Sequence, residues 1–285
     1  MNASTAADTA AAGASGRPGR TRLRDWIGAV GAYLWSGWGP ASGILVFAAI
    51  WELTAQAVGP LILPAPGEAL ATLGRLLHDA TVREDILITV RRALTGYGLA
   101  LALGSVAGLL AGLSLTASML ARPIVTLLVG TPPIAWLILA LLWFGAGDGT
   151  PVFTVFVAAF PIIFVGAMQG ARTLDGELKA MARVFRLPPT MTFTDVYLPH
   201  VVSYLFPAWI TALGTAWKVV VMAELLATTD GIGAALAVTR SHLDTAGSIA
   251  WIVALVGSLL AVEYLFLEPV KRRVESWREV ASSAA

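Results

Sequence analysis

DGELKAMARVFRLPPTMTFTDVYLP, residues 175–199, is the longest polar interruption between two strongly apolar halves of the chain. At helical spacing Leu178, Met181, Ala182 and Phe185 fall at i, i+3, i+4 and i+7 and share one face, while Lys179, Arg183 and Arg186 point elsewhere. Asp175 is placed to cap the start, Glu177 suits the positive end of the helix dipole, and Pro188-Pro189 stops the helix. A second short piece ends at Leu198-Pro199, directly before another apolar run. A short amphipathic helix between two membrane spans either lies flat on lipid or plugs into a partner protein.

Composition sets the surroundings of that stretch. Hydrophobic residues make up 57% of the 285-residue chain, charged residues 13%, and mean hydropathy is +0.76. Such values lie far from those of soluble domains and imply an all-α polytopic membrane protein. The absence of cysteine excludes a disulfide framework, thiol chemistry and cysteine-ligated metal.

Four regions are expected. Residues 1–25 read as a disordered cytoplasmic tail, and 26–85 as an interfacial aromatic segment, a first transmembrane helix and an outer connection opening with Leu63-Pro64-Ala65-Pro66. Residues 86–270 form the core containing the 175–199 loop, and 271–285 a basic cytoplasmic tail. The apolar stretch after the first tail is too long for a signal peptide. Six spans are expected, at 41–59, 93–121, 124–144, 151–170, 201–227 and 249–267. Arg122-Pro123 reads as the turn between the second and third, and 228–244 as a glycine-bearing loop between the fifth and sixth. With both termini inside, the inner segments carry 13 Lys and Arg and the outer ones 5. The positive-inside rule therefore puts both termini and the 175–199 loop in the cytoplasm.

Three features inside the spans carry functional expectations. Gly96, Ala100, Gly104, Gly108 and Gly112 recur every four residues as a small face that lets another helix approach closely. Thr131-Pro132-Pro133 must kink the third span, and a broken helix is tolerated where it lines a cavity or packs inside protein. Lys218 lies about two-thirds along the fifth span, and Glu224 nearer the outer surface; six residues apart, they do not share a helix face. Either each charge is neutralised structurally, through Glu263 or across a second copy, or Lys218 helps an anion through the membrane.

The 175–199 loop resembles the cytoplasmic EAA loop of binding-protein-dependent ABC-importer permeases. Counting back from Leu198-Pro199, Val196 takes the place of its Ile and Ala182 that of its second Ala; Ala180, Met181 and Arg186 depart from the usual Glu, Ala and Gly. Trp51-Glu52, LPAP at 63–66, GTPPIAWLILALLWFGAG at 130–147, AWKVVVMAELLATTDGIG at 216–233 and EPVKRRVESW at 268–277 resemble the nitrate/sulfonate/taurine-type branch. The resemblance covers residues 45 to 278. It implies a type I permease core of five helices plus an N-terminal helix, in a bacterial inner membrane.

It further implies cytoplasmic ABC ATPase subunits that use ATP and Mg, an extracytoplasmic solute-binding protein and a second permease copy forming a homodimer, with lipid around them and no nucleic acid. Met181, Ala182, Arg183, Phe185, Arg186 and Leu187 become the ATPase-docking residues. Thr131, Pro132, Pro133, Trp136, Thr215, Lys218 and Glu224 become the translocation pathway. The chain itself has no GxxxxGK[ST], HExxH or GxSxG sequence, and His78, His200 and His242 are scattered; no catalytic residue, metal or cofactor is expected in it. A stand-alone secondary transporter or channel is the alternative, but that reading needs mid-membrane coupling carboxylates or an internal repeat.

Overall fold

The computed structural model describes residues 42–173, 180–181 and 184–267, and all regular structure among them is helical. The chain divides into two compact units, Met1–Pro60 and Leu61–Ala285. In the first, the described element is α1 (Ser42–Val58). The second contains α2 (Pro66–Leu77), α3 (Ala80–Leu113), α4 (Leu115–Gly130), α5 (Pro133–Phe144) and α6 (Gly149–Arg172). A short helix Pro189–Thr192 and a π-helical turn Phe193–Tyr197 then lead without a break into α7 (Leu198–Ala227), followed by α8 (Ile232–Ser241) and α9 (Thr245–Val262).

The core is a layer of three helices in which α6 lies between α3 and α7. Small residues set its spacing. A Cβ on Gly96 would stand 2.6 Å from the Val152 carbonyl oxygen, and one on Gly112 2.5 Å from the Ala171 Cβ. Ala100 is fully buried between them. The small face of α3 is thus the seam against α6, the close approach that lipid-embedded helices use in place of a hydrophobic driving force. On the other side of α6, Gly166 meets Ala208 and Gly170 meets Val201 of α7. Hydrogen bonds tie α3 directly to α7: the Tyr97 hydroxyl donates to the Trp209 carbonyl at 3.2 Å, and the Trp209 indole to the Ser105 hydroxyl at 3.4 Å. Trp217 donates from α7 to Ser258 of α9 at 3.1 Å.

Several boundaries differ from those expected. α3 starts at Ala80, so the outer connection ends there rather than at residue 85. Asp79 caps it, accepting from the Thr81 hydroxyl and amide, and these bonds hold its carboxyl below the usual carboxylate range. The turn between the second and third spans is at Ser114, whose hydroxyl caps α4 by accepting from the Ala117 amide; Arg122-Pro123 is inside that helix. The segment after Gly231 is the helix α8 and not a loop, because Ile232, Gly233 and Ala234 bury against the bundle and alanines continue the turn.

Thr131-Pro132-Pro133 does more than kink a helix. Thr131 and Pro132 each precede a proline, which drives both into extended conformation, and α4 and α5 meet at 90°. Thr131 closes α4 with both its amide and its hydroxyl on the Leu127 carbonyl, at 3.0 and 2.7 Å, and Pro133 opens α5 where no amide is needed. Among the described residues, four helices are long and apolar enough to cross a membrane, or five with the bent pair as one span. Among these residues the expected six is reached when the shorter α1 is counted too.

The α3–α6 seam makes a clean comparison possible. On Gly108 a Cβ would overlap the Phe164 carbonyl oxygen, whereas on Gly98 of the same helix it meets no atom within 4 Å. Gly108→Ala is expected to cost about 1–3 kcal/mol through overpacking, and Gly98→Ala to be neutral or slightly stabilising. Thermal unfolding of the two purified variants checks this.

Candidate functional site

At the end of the bundle away from the 173–198 connection, one guanidinium gathers four segments. Arg92 projects from α3 with its side chain 2% exposed and meets Glu224, in the last turn of α7, whose side chain is 0% exposed. Its Nη1 donates to Glu224 Oε1 and to the Asp230 carbonyl, both at 3.0 Å. Nη2 donates to Asp230 Oδ1 at 2.7 Å, and Nε to Asp148 Oδ1 at 2.7 Å. Asp148 is half exposed, and its second oxygen takes Arg91 at 2.6 Å.

The other oxygen of Glu224 is equally occupied. Oε2 accepts from the Thr89 hydroxyl at 2.8 Å and the Gly233 amide at 3.0 Å, while Thr89 Oγ1 accepts from the Ile232 amide at 2.8 Å. The Gly231 amide donates to Asp85 at 2.8 Å. The turn between α7 and α8 is therefore moulded on one carboxylate. Gly231 has φ +94°, and a Cβ there would stand 2.6 Å from Glu224 Oε1; one on Gly233 would stand 2.5 Å from the Glu224 Cβ. The glycines of the DGIG sequence are dictated by that carboxylate. Neither buried ion would be tolerable alone in an apolar bundle; paired and fully hydrogen-bonded, they fix α3, the α5–α6 turn, α7 and α8 at one point.

Glu224 thus has its neutralising partner within the chain, in Arg92, and not on a second copy. Lys218 points elsewhere. It lies with Pro207, Thr211 and Thr215 on an open stripe of α7, while Ala216, Trp217 and Val220 face inward. The Thr211 and Thr215 hydroxyls fold back on the carbonyls of Pro207 and Thr211 at 2.9 Å. Thr131, Pro132 and Pro133 are at the α4–α5 break, and Trp136 is on the first turn of α5, its buried Nε1 without a hydrogen-bond partner among the described residues. Leu137, one position on, packs on Ala223 and Ala227, so α5 rests on the anchored end of α7.

In the 175–199 stretch, Asp175, Glu177, Leu178, Lys179, Ala182 and Arg183 lie outside the described residues, as do both chain tails. Met181 and Phe185 close one helical turn, and Arg186 follows with φ +50°. Apolar side chains face outward here: Met181 is 45%, Val184 78% and Phe185 70% exposed. Leu187 is half-buried and helps line an apolar cavity with Leu109, Leu113 and Val201. Reading the sequence did not single out Arg92, Thr89, Asp148, Asp230 or Val184. Asking what neutralises Glu224 in an apolar run was the available signal.

Removing one partner of the buried pair is expected to have unequal effects. Arg92→Gln leaves Glu224 buried without a counter-charge and is expected to destabilise by about 3–5 kcal/mol, whereas Glu224→Gln leaves Arg92 two carboxylates and costs less. The Arg92→Gln, Glu224→Gln double variant should be more stable than Arg92→Gln alone, read as a double-mutant cycle in thermal unfolding.

Residues 100–276 match the model of the family described as binding-protein-dependent transport system inner membrane component. A probable ABC transporter permease protein of Brucella abortus (strain 2308) is 30% identical over 231 residues, covering 81% of this chain and 92% of that protein. The putative aliphatic sulfonates transport permease protein SsuC of Bacillus subtilis (strain 168) is 27% identical over 237 residues, 82% of this chain and 85% of its own length. The taurine transport system permease protein TauC of Escherichia coli (strain K12) is 27% identical over 243 residues, 82% and 87% of the two chains. The family match spans the broken helix, the 175–199 loop, and Asp148, Glu224 and Asp230 of the ion cluster, and the chain belongs to the family of binding-protein-dependent transport system inner membrane components.

Proposed function

We propose that this chain is the membrane-spanning permease subunit of an ATP-driven ABC importer for a small anion such as a sulfonate, taurine or nitrate. A separate extracytoplasmic solute-binding protein delivers the anion, two copies of the chain enclose the path, and cytoplasmic ATPase subunits hydrolyse ATP with Mg. The chain itself catalyses no reaction. The observation that carries this reading is the outward display of Met181 and Phe185 on a polar loop between two spans. Apolar side chains held out of the bundle on an otherwise polar segment suit a protein–protein core, with Arg183 and Arg186 as its polar rim and Ala182 and Leu187 beside it.

On this reading both termini and the loop are cytoplasmic, in line with the lysine and arginine distribution. Closure of the ATPase dimer moves the loop as a lever, and the α4–α5 pair and α7 switch between inward- and outward-open packing. Thr131, Pro132, Pro133, Trp136, Thr215 and Lys218 face the path, and Glu224 holds its outer end. The anionic preference is supported by Lys218, which stands exposed on a span among threonines. A lysine against lipid would cost roughly 2.5–3.5 kcal/mol, so water, a second copy or a passing anion must receive it.

Two measurements test the reading. Met181→Asp combined with Phe185→Asp is expected to abolish co-purification of the ATPase and uptake at normal expression; retention of both overturns the docking assignment. Lys218→Ala is expected to lower anion uptake about tenfold or more, the equivalent of one charge-assisted hydrogen bond. Unchanged uptake and unchanged substrate preference would remove Lys218 from the path.

A further inference from the structure

We infer that Gly214 and Lys218 form a subsite on α7 for a small oxyanion, in which the lysine supplies the charge and the missing side chain at 214 supplies the room. This subsite rests on the solute path proposed above and sets its bore at the level of the lysine. Thr211, Gly214, Thr215 and Lys218 fall at i, i+3, i+4 and i+7 and share one face of the helix. Thr211 and Lys218 are exposed and Gly214 and Thr215 half-buried, whereas Ala212, Leu213, Ala216 and Trp217 are buried in the core.

Depth makes this face a place for water and solute. Lys218 is nine positions before Ala227, the last residue of α7, and 20 after Leu198, its first. At ~1.5 Å per residue these are about 13.5 and 30 Å, both beyond the length of a lysine side chain. Helical side chains lean toward the N-terminus, which puts Gly214, four positions back, beneath the lysine stem. A Cβ on Gly214 would meet no atom within 4 Å, so packing inside the chain does not require the glycine. Gly98 on α3 and Gly257 on α9 are open in the same way, but neither has a charged residue three or four positions away. The Thr211 and Thr215 hydroxyls donate to carbonyls of their own helix, so the ammonium is the donor left on this face for an anion. Two copies in one membrane carry Lys218 at the same depth. A dry, symmetric contact of the two stripes would oppose two ammonium groups at low dielectric, and a hydrated gap that admits an oxyanion relieves that repulsion.

The chain has no cysteine, so a single introduced thiol reports on one place. Membrane vesicles from cells producing the full-length chain are treated with anionic sulfonatoethyl methanethiosulfonate or cationic trimethylammonioethyl methanethiosulfonate, each rate being taken relative to a free thiol. Gly214→Cys is expected to react about tenfold faster with the anionic reagent, the least that charge focusing in a low-dielectric cleft provides. Adding Lys218→Gln should abolish that preference and adding Lys218→Arg should keep it, while Gly98→Cys should show none. In the Thr211→Cys chain, adding Gly214→Leu should slow the anionic reagent by about an order of magnitude; if Gly214→Leu is not recovered folded, Gly214→Ala makes the same comparison. No reaction at Gly214→Cys means that lipid or a second copy covers the stripe, and overturns the proposal. So does a preference that survives Lys218→Gln or appears equally at Gly98→Cys, or labelling of Thr211→Cys that ignores the added side chain at 214. Labelling is read on this chain, so its failure with ATPase co-purification intact removes the subsite and leaves the importer reading standing.

Discussion

A guanidinium sealed into an apolar helix bundle has to be answered completely, and the end of the bundle away from the 173–198 connection is arranged to answer Arg92. The answer comes from Asp148, in the α5–α6 turn, and from Glu224 and Asp230, at the end of α7 and in the turn after it. Because the bonds have fixed directions, they set the register of α3 against α7, and the small-residue seams then bring α6 between them. Ion pairs of this kind add little net stability over a well-packed apolar core. What they supply here is a unique alignment, since any slip of α7 along α3 would strand two charges. Glu224 extends the constraint to the next turn, where only glycine fits at 231 and 233.

That anchoring divides the bundle by role. α3, α6 and α7 form the buried scaffold, knitted by close backbone contacts that leave no room for adjustment. α4 and α5 are joined at a right angle through two prolines, and α5 is attached to the scaffold through Leu137 on the anchored end of α7. The open stripe of α7 carries hydroxyl groups and a lysine, in contrast to the sealed inner face of the same helix. A single helix thus belongs to the rigid part on one side and to the accessible part on the other.

How much of this could be read from the chain depends on which constraints are local. The spans, the small face on α3 and the break at 131–133 were legible because lipid enforces length, periodicity and proline behaviour residue by residue. The start of α4 was not, because the run from 93 to 121 carries no charge and only the Ser114 cap marks its end. The helix α8 was hidden by the glycines ahead of it, which signal a turn but not the conformation of the residues after it. Arg92 and Glu224 are 132 positions apart, and in the sequence Arg92 counts only as one of the five basic residues of the segments placed outside. Both were individually visible, and their meeting depends on packing that no local pattern encodes. Of the loop face, Met181, Phe185, Arg186 and Leu187 are described, and Ala182 and Arg183 are not.

Three cations on the scaffold illustrate three solutions to one problem. Arg92 is internalised and paired, Arg172 sits at the boundary beside a neutral hydroxyl, and Lys218 stands on an open face of a span. The first solution restricts what the third can do. With the last turn of α7 held by Glu224, the stripe bearing Lys218 cannot slide or turn at that end without breaking the ion pair to Arg92. At the other end α7 is continuous with a π-helical turn and the short helix Pro189–Thr192, and Arg186 to Pro188 separate these from the exposed Met181 and Phe185. Pro207 lies within α7 between that end and the lysine, and it removes one backbone hydrogen bond from the helix. A helix pinned by a buried carboxylate at one end, with a proline along its length and a π-helical turn at the other, has its constraints concentrated at the Glu224 end.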